Sequence, residues 1–212
     1  MIQIQYLVFN PFQLNTYILF DETREAVIID PACYGTEEEY ELAEFIRKEN
    51  LKPVRCLVTH SHVDHLLGVN YVYNTFGLRP EIHQSGLELF NKAPQYGRMY
   101  GFQTETVISP ESWLNEGDVI RFGTSSLDVI YTPGHADGSV CFLNRDEGFV
   151  IAGDVLFHES IGRTDLPGGD FELLSTNIQQ KLFSLDDHVR VYPGHGPETN
   201  IGHEKRFNPF LT

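Results

Sequence analysis

The sequence predicts a layered α+β fold, on three observations. β-branched apolar runs alternate with amphipathic stretches of helical period, so strands and helices share one chain and must cover one another. Four such runs, at 54–59, 127–132, 149–152 and 189–192, are each followed by a histidine or aspartate, three of them across a turn made by Gly or Pro-Gly. The 212 residues are 41% hydrophobic and 12% aromatic, which is enough apolar material for the core of a single domain over residues 1–212.

Taken in order, strands are expected near 2–9, 15–20 and 25–30, the first opening on the alternation Met1-Ile2-Gln3-Ile4-Gln5-Tyr6. A helix follows near 36–50. Its acidic start, Glu37, Glu38 and Glu39 with Glu41, reads as a solvated face that suits the positive end of the helix dipole. Next come a strand ending at Thr59, a helix near 65–76, a short strand at 80–83 and a helix near 84–91. The segment 92–108 sets Tyr96, Met99, Tyr100 and Phe102 among glycines, and reads either as a flexible apolar lid or as a cover over the core. A similar second half offers strands near 118–122, 127–132, 139–144 and 148–152, a helix near 170–183, a strand ending at Tyr192 and a last helix near 198–205. The pattern favours layered packing and leaves the topology open.

Composition narrows the function classes. A formal charge of −15, from 15 basic against 30 acidic residues, argues against a nucleic-acid partner, which needs a basic surface. No apolar run is long enough for a membrane-spanning helix, and the start lacks the basic and apolar regions of a signal peptide. Cys33, Cys56 and Cys141 are odd in number and unpatterned, as expected of buried thiols in a reducing cytoplasm.

The chemistry is concentrated in His60-Ser61-His62-Val63-Asp64-His65. Imidazole and carboxylate are the donors that hold zinc or non-haem iron. With nine histidines and twelve aspartates in the chain, that spacing arises by chance in about one such sequence in a thousand. His135 in Thr132-Pro133-Gly134-His135, Asp154 after Gly153, and His195 in Pro193-Gly194-His195 share its strand-end context. Strand ends that are neighbours in a sheet converge, so seven donors are expected to meet at one sheet edge, enough for two ions. On a chain still extended past its strand, His60 and His62 point the same way. Asp64 and His65 are adjacent and need a turn to point together. The expected partition is His60, His62 and His135 on one ion, Asp64, His65 and His195 on the other, with Asp154 bridging. A helical reading that pairs His60 with Asp64 is disfavoured by Pro53 and the β-rich run that follows it.

These residues, in their T-H-x-H-x-D-H, T-P-G-H, G-D and P-G-H-G settings, resemble the metallo-β-lactamase-fold hydrolases over nearly the whole chain. Gly153 to Phe157, Gly162-Arg163-Thr164-Asp165 and Asn208-Pro209-Phe210-Leu211 resemble the glyoxalase II-like, or hydroxyacylglutathione hydrolase-like, branch. The resemblance implies a four-layer αββα sandwich with its metals at one edge of two sheets, and the same division of ligands. It implies two divalent ions, zinc first, with iron or manganese as alternatives. The chain is expected to lack the C-terminal helical domain of full-length glyoxalase II, and Gly-Arg-Thr-Asp stands where those enzymes carry a tyrosine- and lysine-bearing loop.

The expected activity is hydrolysis of a small-molecule thioester by a hydroxide bridging two metals, with Asp64 both ligating and orienting the nucleophile. Alternatives are a persulfide dioxygenase using one iron on His60, His135 and Asp154, a lactone or other ester hydrolase, and a non-catalytic metal binder. A β-lactamase is disfavoured, because those enzymes generally lack the bridging carboxylate. Arg163 is a candidate for holding a substrate carboxylate, against a plain salt bridge with Asp165 or Asp170. Asp30, at the end of another strand, is a candidate for orienting a ligand histidine, against a simple Asp-Pro turn. His83, His158, His188 and His203 have no partner at metal spacing and are expected to be structural.

Overall fold

The computed structural model describes residues 1–211. In the first half, β1 (Gln3–Phe9), β2 (Leu14–Phe20), β3 (Glu25–Ile29), β4 (Lys52–Leu57), β5 (Pro80–Ile82) and β6 (Ser112–Trp113) lie side by side in that order as one six-stranded sheet. Helices α1 (Thr36–Lys48), α2 (Val69–Phe76) and α3 (Leu87–Met99) connect its parallel strands, as parallel pairs require. The second half contributes β7 (Val119–Phe122), β8 (Ser125–Tyr131), β9 (Val140–Asn144) and β10 (Phe149–Gly153), the small hairpin β11 (Leu156–Phe157) and β12 (Ser160–Ile161), then β13 (Arg190–Pro193) and β14 (Thr199–Asn200). These form a second six-stranded sheet in the order β14-β13-β10-β9-β8-β7, with the β11–β12 hairpin apart. Helices α4 (Phe171–Asn177, continued by a π-turn over Ile178–Leu182) and α5 (Ile201–Phe207) belong to this half.

Strand alternation builds the layers. Leu19, Val27, Ile29 and Leu57 point between the sheets and meet Ile120, Phe122, Val129, Phe142 and Ile151. Their neighbours Ile18, Phe20, Ala26, Ile28 and Cys56 point outward onto Leu42 and Ile46 of α1 and Val72 of α2. Ile130, Cys141, Leu143 and Val150 likewise face Leu174, Ile178 and Ile201. Three apolar layers between helix, sheet, sheet and helix give the αββα sandwich, and explain why β2 is buried on both faces. Helix α1 carries Glu37, Glu38 and Glu39 in its first turn and Arg47 and Lys48 in its last, matching its dipole. No helix among the described residues is long and apolar enough to cross a membrane.

Several boundaries differ from expectation. The helix expected from residue 65 starts at Val69, because a 3₁₀ turn over Val63–His65 comes first. Gly68 then packs so closely that an added Cβ would lie 2.5 Å from Cys33 Sγ. The helix expected at 84–91 is α3, which runs on to Met99 through Pro94. Proline is a strong helix breaker, yet Phe90, Ala93 and Gly97 bury one continuous face of α3 and Thr104 Oγ1 donates to the Pro94 carbonyl at 2.8 Å. Tyr96 and Met99 therefore stand on a helix, against the flexible-lid reading of 92–108, while Phe102 is buried, as the core-cover reading expects. Strands β6, β11, β12 and β14 have two residues each, too few for periodicity to reveal.

Candidate metal centre

The parallel pairs β3–β4 and β10–β13 bring the carboxyl ends of their strands to one edge, and the predicted donors lie on the loops there. His62, extended at φ −65° and ψ 147°, passes the chain into the 3₁₀ turn that lets Asp64 and His65 point together. His60 Nε2 lies 2.9 Å from His62 Nδ1 and 3.2 Å from His135 Nε2, and His62 Nδ1 lies 2.9 Å from His135 Nε2. On the other side, Asp64 Oδ2 is 3.2 Å from His195 Nε2 and 3.8 Å from His65 Nε2. Asp154 reaches both groups: Oδ1 is 3.5 Å from His65 Nε2, while Oδ2 is 3.7 Å from His135 Nε2 and 3.5 Å from His195 Nε2. The structure brings all seven predicted residues together: His60, His62 and His135 form one trio, Asp64, His65 and His195 another, and His60, His65 and Asp154 a third that crosses the expected division.

Protein groups behind the rings set their tautomers. His135 Nδ1 donates to the Arg163 carbonyl at 2.7 Å, His65 Nδ1 to Asp30 Oδ2 at 2.9 Å, and His195 Nδ1 to the Phe12 carbonyl at 3.0 Å. In its neutral form each of these three histidines turns a lone pair on Nε2 into the centre. Asp30 is held in turn by the Thr59 amide and hydroxyl, both at 2.7 Å. Burial pushes the His60 and His135 imidazoles below their ordinary value and His62 to about 4, leaving neutral rings. His65 goes the other way: burial opposes its charge, but Asp30, Asp154 and Asp64 outweigh it. Burial also works against the charge of Asp154 and Asp64, yet His65 and the neighbouring histidines hold both below the usual carboxylate range.

These donors fit divalent metal. Lone pairs of His60, His62 and His135 converge where hydrogen bonds cannot satisfy all three. Two ligands on a tetrahedral ion at about 2.0–2.1 Å stand roughly 3.3 Å apart, close to the spacing found. His65 Nε2 and Asp154 Oδ1 are buried 3.5 Å apart with no hydrogen-bond partner, an arrangement that a cation shared between them would satisfy. Space beside Asp154 is kept by glycine: a Cβ on Gly194 would lie 2.2 Å from its Oδ1, and one on Gly162 would lie 1.9 Å from its carbonyl oxygen. Together with the fold, the two His/Asp trios suggest a dinuclear site.

Above the donors lies a cavity of about 380 Å³. Phe12, Leu89, Tyr96, Tyr100, Phe157 and Leu166 form most of its wall, with His62, Asp64, His135, Asp154 and His195 at its base. Phe12 meets Tyr100 edge-on with ring centroids 5.4 Å apart. Arg163 also lines the cavity, but its Nε and Nη2 donate to Asp165 at 2.7 and 2.8 Å. The salt bridge foreseen as the plain reading of Arg163 is present, and its carbonyl, not its guanidinium, serves the centre.

Sequence reasoning missed the turn between β1 and β2. Glu38, within the acidic run expected to be a solvated face, accepts from the Asn10 amide at 2.9 Å and the Tyr34 amide at 2.7 Å. Asn10 Nδ2 donates to the Asp64 carbonyl at 3.2 Å, and this braced turn presents Phe12 to His195. No local pattern signals such long-range contacts, although the positive φ of Asn10 and Gln13 falls on residue types that turns use. Asp30 takes the orienting role offered for it. His83 is structural, stacked on Tyr131 and accepting from the Ser85 amide. His158 and His203 differ from expectation, because the fold brings them together beside Glu159.

The edge-of-sheet donors and the sandwich define a class of metal-dependent hydrolase folds. The profile of the metallo-beta-lactamase superfamily matches residues 9–195, and the chain belongs to that family. It is 37% identical over 202 residues to a probable metallo-hydrolase of Bacillus subtilis, covering 95% of this chain and 93% of that one. It is 35% identical over 212 residues to the hydroxyacylglutathione hydrolase GloC of Haemophilus influenzae, covering 98% and 97%. Among solved structures it is similar to the B3 metallo-beta-lactamase BLEG-1, with a TM-score of 0.90 at 36% identity, over 99% of this chain and 100% of that one. It is also similar to TTHA1623 in a di-iron-bound form, with a TM-score of 0.87 at 34% identity, over 98% and 100%.

Proposed function

We propose that this chain is a thioester hydrolase working on a dinuclear centre, with His60, His62 and His135 holding one ion, Asp64, His65 and His195 the other, and Asp154 shared between them. The observation that carries this reading is Asp154, whose two oxygens lie within 3.7 Å of imidazole nitrogens from both trios. When bound, two divalent ions lower the pKa of a shared water toward neutrality and polarise a substrate carbonyl. Asp64, reaching into the cavity beside His195, orients the attacking water through its carboxylate. Asp30, the Arg163 carbonyl and the Phe12 carbonyl keep three imidazoles in the ligating tautomer. The aromatic wall excludes bulk water from the bound thioester.

The thioester class rests on the glyoxalase II-like motifs and on the name of the Haemophilus relative. Zinc is the first candidate metal, and the di-iron form of a similar structure keeps iron beside it. The three buried thiols support a cytoplasmic setting. The test is metal quantification joined to anaerobic turnover of a panel holding hydroxyacyl thioesters, a lactone and a β-lactam, and to a separate aerobic oxygen-uptake assay with glutathione persulfide. Two equivalents of metal with thioester cleavage support the reading. One iron, with oxygen uptake on glutathione persulfide and no cleavage, overturns it in favour of a dioxygenase, and preferential opening of the β-lactam overturns the substrate class.

A further inference from the structure

The mouth of the cavity carries an inference about which thiol the substrate bears, and it rests on the hydrolase reading. Arg163 is the one arginine or lysine among the described residues lining the cavity. Two of the five guanidinium N–H donors are engaged by Asp165, so the pair offers an incoming anion no net charge and a reduced set of donors. Around it stand Phe12, Leu89, Tyr100, Phe157 and Leu166, in a chain whose formal charge is −15. A glutathione arm brings two carboxylates to this wall and finds no unpaired cation there. We propose that the site selects thioesters whose thiol arm is neutral and apolar over those whose arm carries carboxylates. Water supplies the oxygen of the new C–O bond, the C–S bond breaks, and the thiolate leaves to take up a proton; no oxidant or reductant enters.

The experiment uses metal-loaded protein and two thioesters with one acyl group, an N-acetylcysteamine ester and a glutathione ester. The wild type is expected to show a KM about tenfold lower for the neutral arm, a preference of about 1.4 kcal/mol. Asp165→Asn, which frees the guanidinium, should lower KM for the glutathione ester about threefold, the scale of an exposed ion pair. An equal or lower wild-type KM for the glutathione ester, or no response to Asp165→Asn, overturns this inference and leaves the hydrolase reading intact. Cleavage of neither ester overturns both.

The structure assigns a further cation site on the surface, formed by His158, Glu159 and His203. Glu159 Oε1 lies 3.0 Å from His203 Nε2 and 4.0 Å from His158 Nε2, and the two rings stack with centroids 4.9 Å apart. Two imidazoles and a carboxylate, with room for solvent, suit zinc or copper(II). The backbone beneath is fixed independently: the Glu159 amide donates to buried Glu204 at 3.0 Å, and Asn200 caps α5 through the His203 amide at 2.9 Å. An ion here ties the β11–β12 hairpin to α5. Phe157, on that hairpin, forms part of the cavity wall.

Equilibrium dialysis of the enzyme already holding its catalytic metals, against added zinc alone, tests this. The wild type should take up one further equivalent, and His203→Ala and Glu159→Gln should each abolish that uptake while keeping the catalytic metal. A wild type that binds no further zinc, or variants that still bind it, overturns the proposal.

Discussion

The floor and the rim of the cavity are built on different terms. On the floor, the His65 side chain is 0% exposed and its partner Asp30 1%, and Asp30 is itself held by Thr59. On the rim, Arg163 and Asp165 form a pair of similar hydrogen-bond geometry, but their side chains are 58% and 67% exposed. Water competes for the rim pair and salt screens it, so it adds little to stability. No water can replace what Asp30 does for His65. Side chains that reach the metal donors are buried and multiply held, whereas those of the wall around Arg163 are exposed and can vary at little cost to the fold.

Removing metal should break the floor most severely. Chelation is expected to abolish turnover and lower the melting temperature, with both restored by zinc; at a metal concentration one hundred times Kd the lost stabilisation is about 2.7 kcal/mol per site. Thermal unfolding with and without chelator checks this, and an unchanged melting temperature would separate the centre from the stability of the fold.

Asp30→Asn comes next. Asparagine tolerates the left-handed φ of 51° and keeps an acceptor for Thr59, but presents an amide donor toward His65. The His65 ring then has reason to carry its proton on Nε2, the atom that should ligate. Metal affinity should fall about 10- to 100-fold, and stability by about 1–3 kcal/mol for a buried donor left unpaired. Metal titration and urea denaturation read the two effects separately; full affinity would remove Asp30 from the centre.

The rim should respond less. Tyr100→Ala removes one wall residue and its edge contact with Phe12, and is expected to raise KM about three- to tenfold with kcat nearly unchanged, the scale of a lost apolar pocket contact. A matching fall in kcat would mean the wall helps place the reacting atoms, and the contrast between floor and rim would blur. Smallest of all, breaking the exposed Arg163–Asp165 pair with Asp165→Asn should change stability by less than about 1 kcal/mol, measured by urea denaturation.

Much of the floor was legible in the sequence because its donors sit in short motifs at strand ends, where one pattern supplies both the residue type and the local direction. His60 to His65 stands within six residues, and Pro-Gly or Gly announces His135, Asp154 and His195. Layered packing was legible from alternation, whereas the four-layer topology was read through family resemblance. What remained hidden depends on contacts distant in sequence. Phe12 holds His195 across 183 positions, Glu38 braces the Asn10 turn across 28, and His203 meets Glu159 across 44. The extent of α3 was hidden for another reason: Pro94 signals a stop that the buried face of Phe90, Ala93 and Gly97 overrides.

The central claim is that one carboxylate joins two trios into a single working centre. Counting metal in the wild type and in Asp154→Asn by elemental mass spectrometry, beside thioester turnover of the same samples, tests it most directly. The account predicts two equivalents and activity in the wild type, and at least one equivalent lost together with nearly all activity in the variant. An Asp154→Asn protein that keeps its full metal content and rate would contradict it.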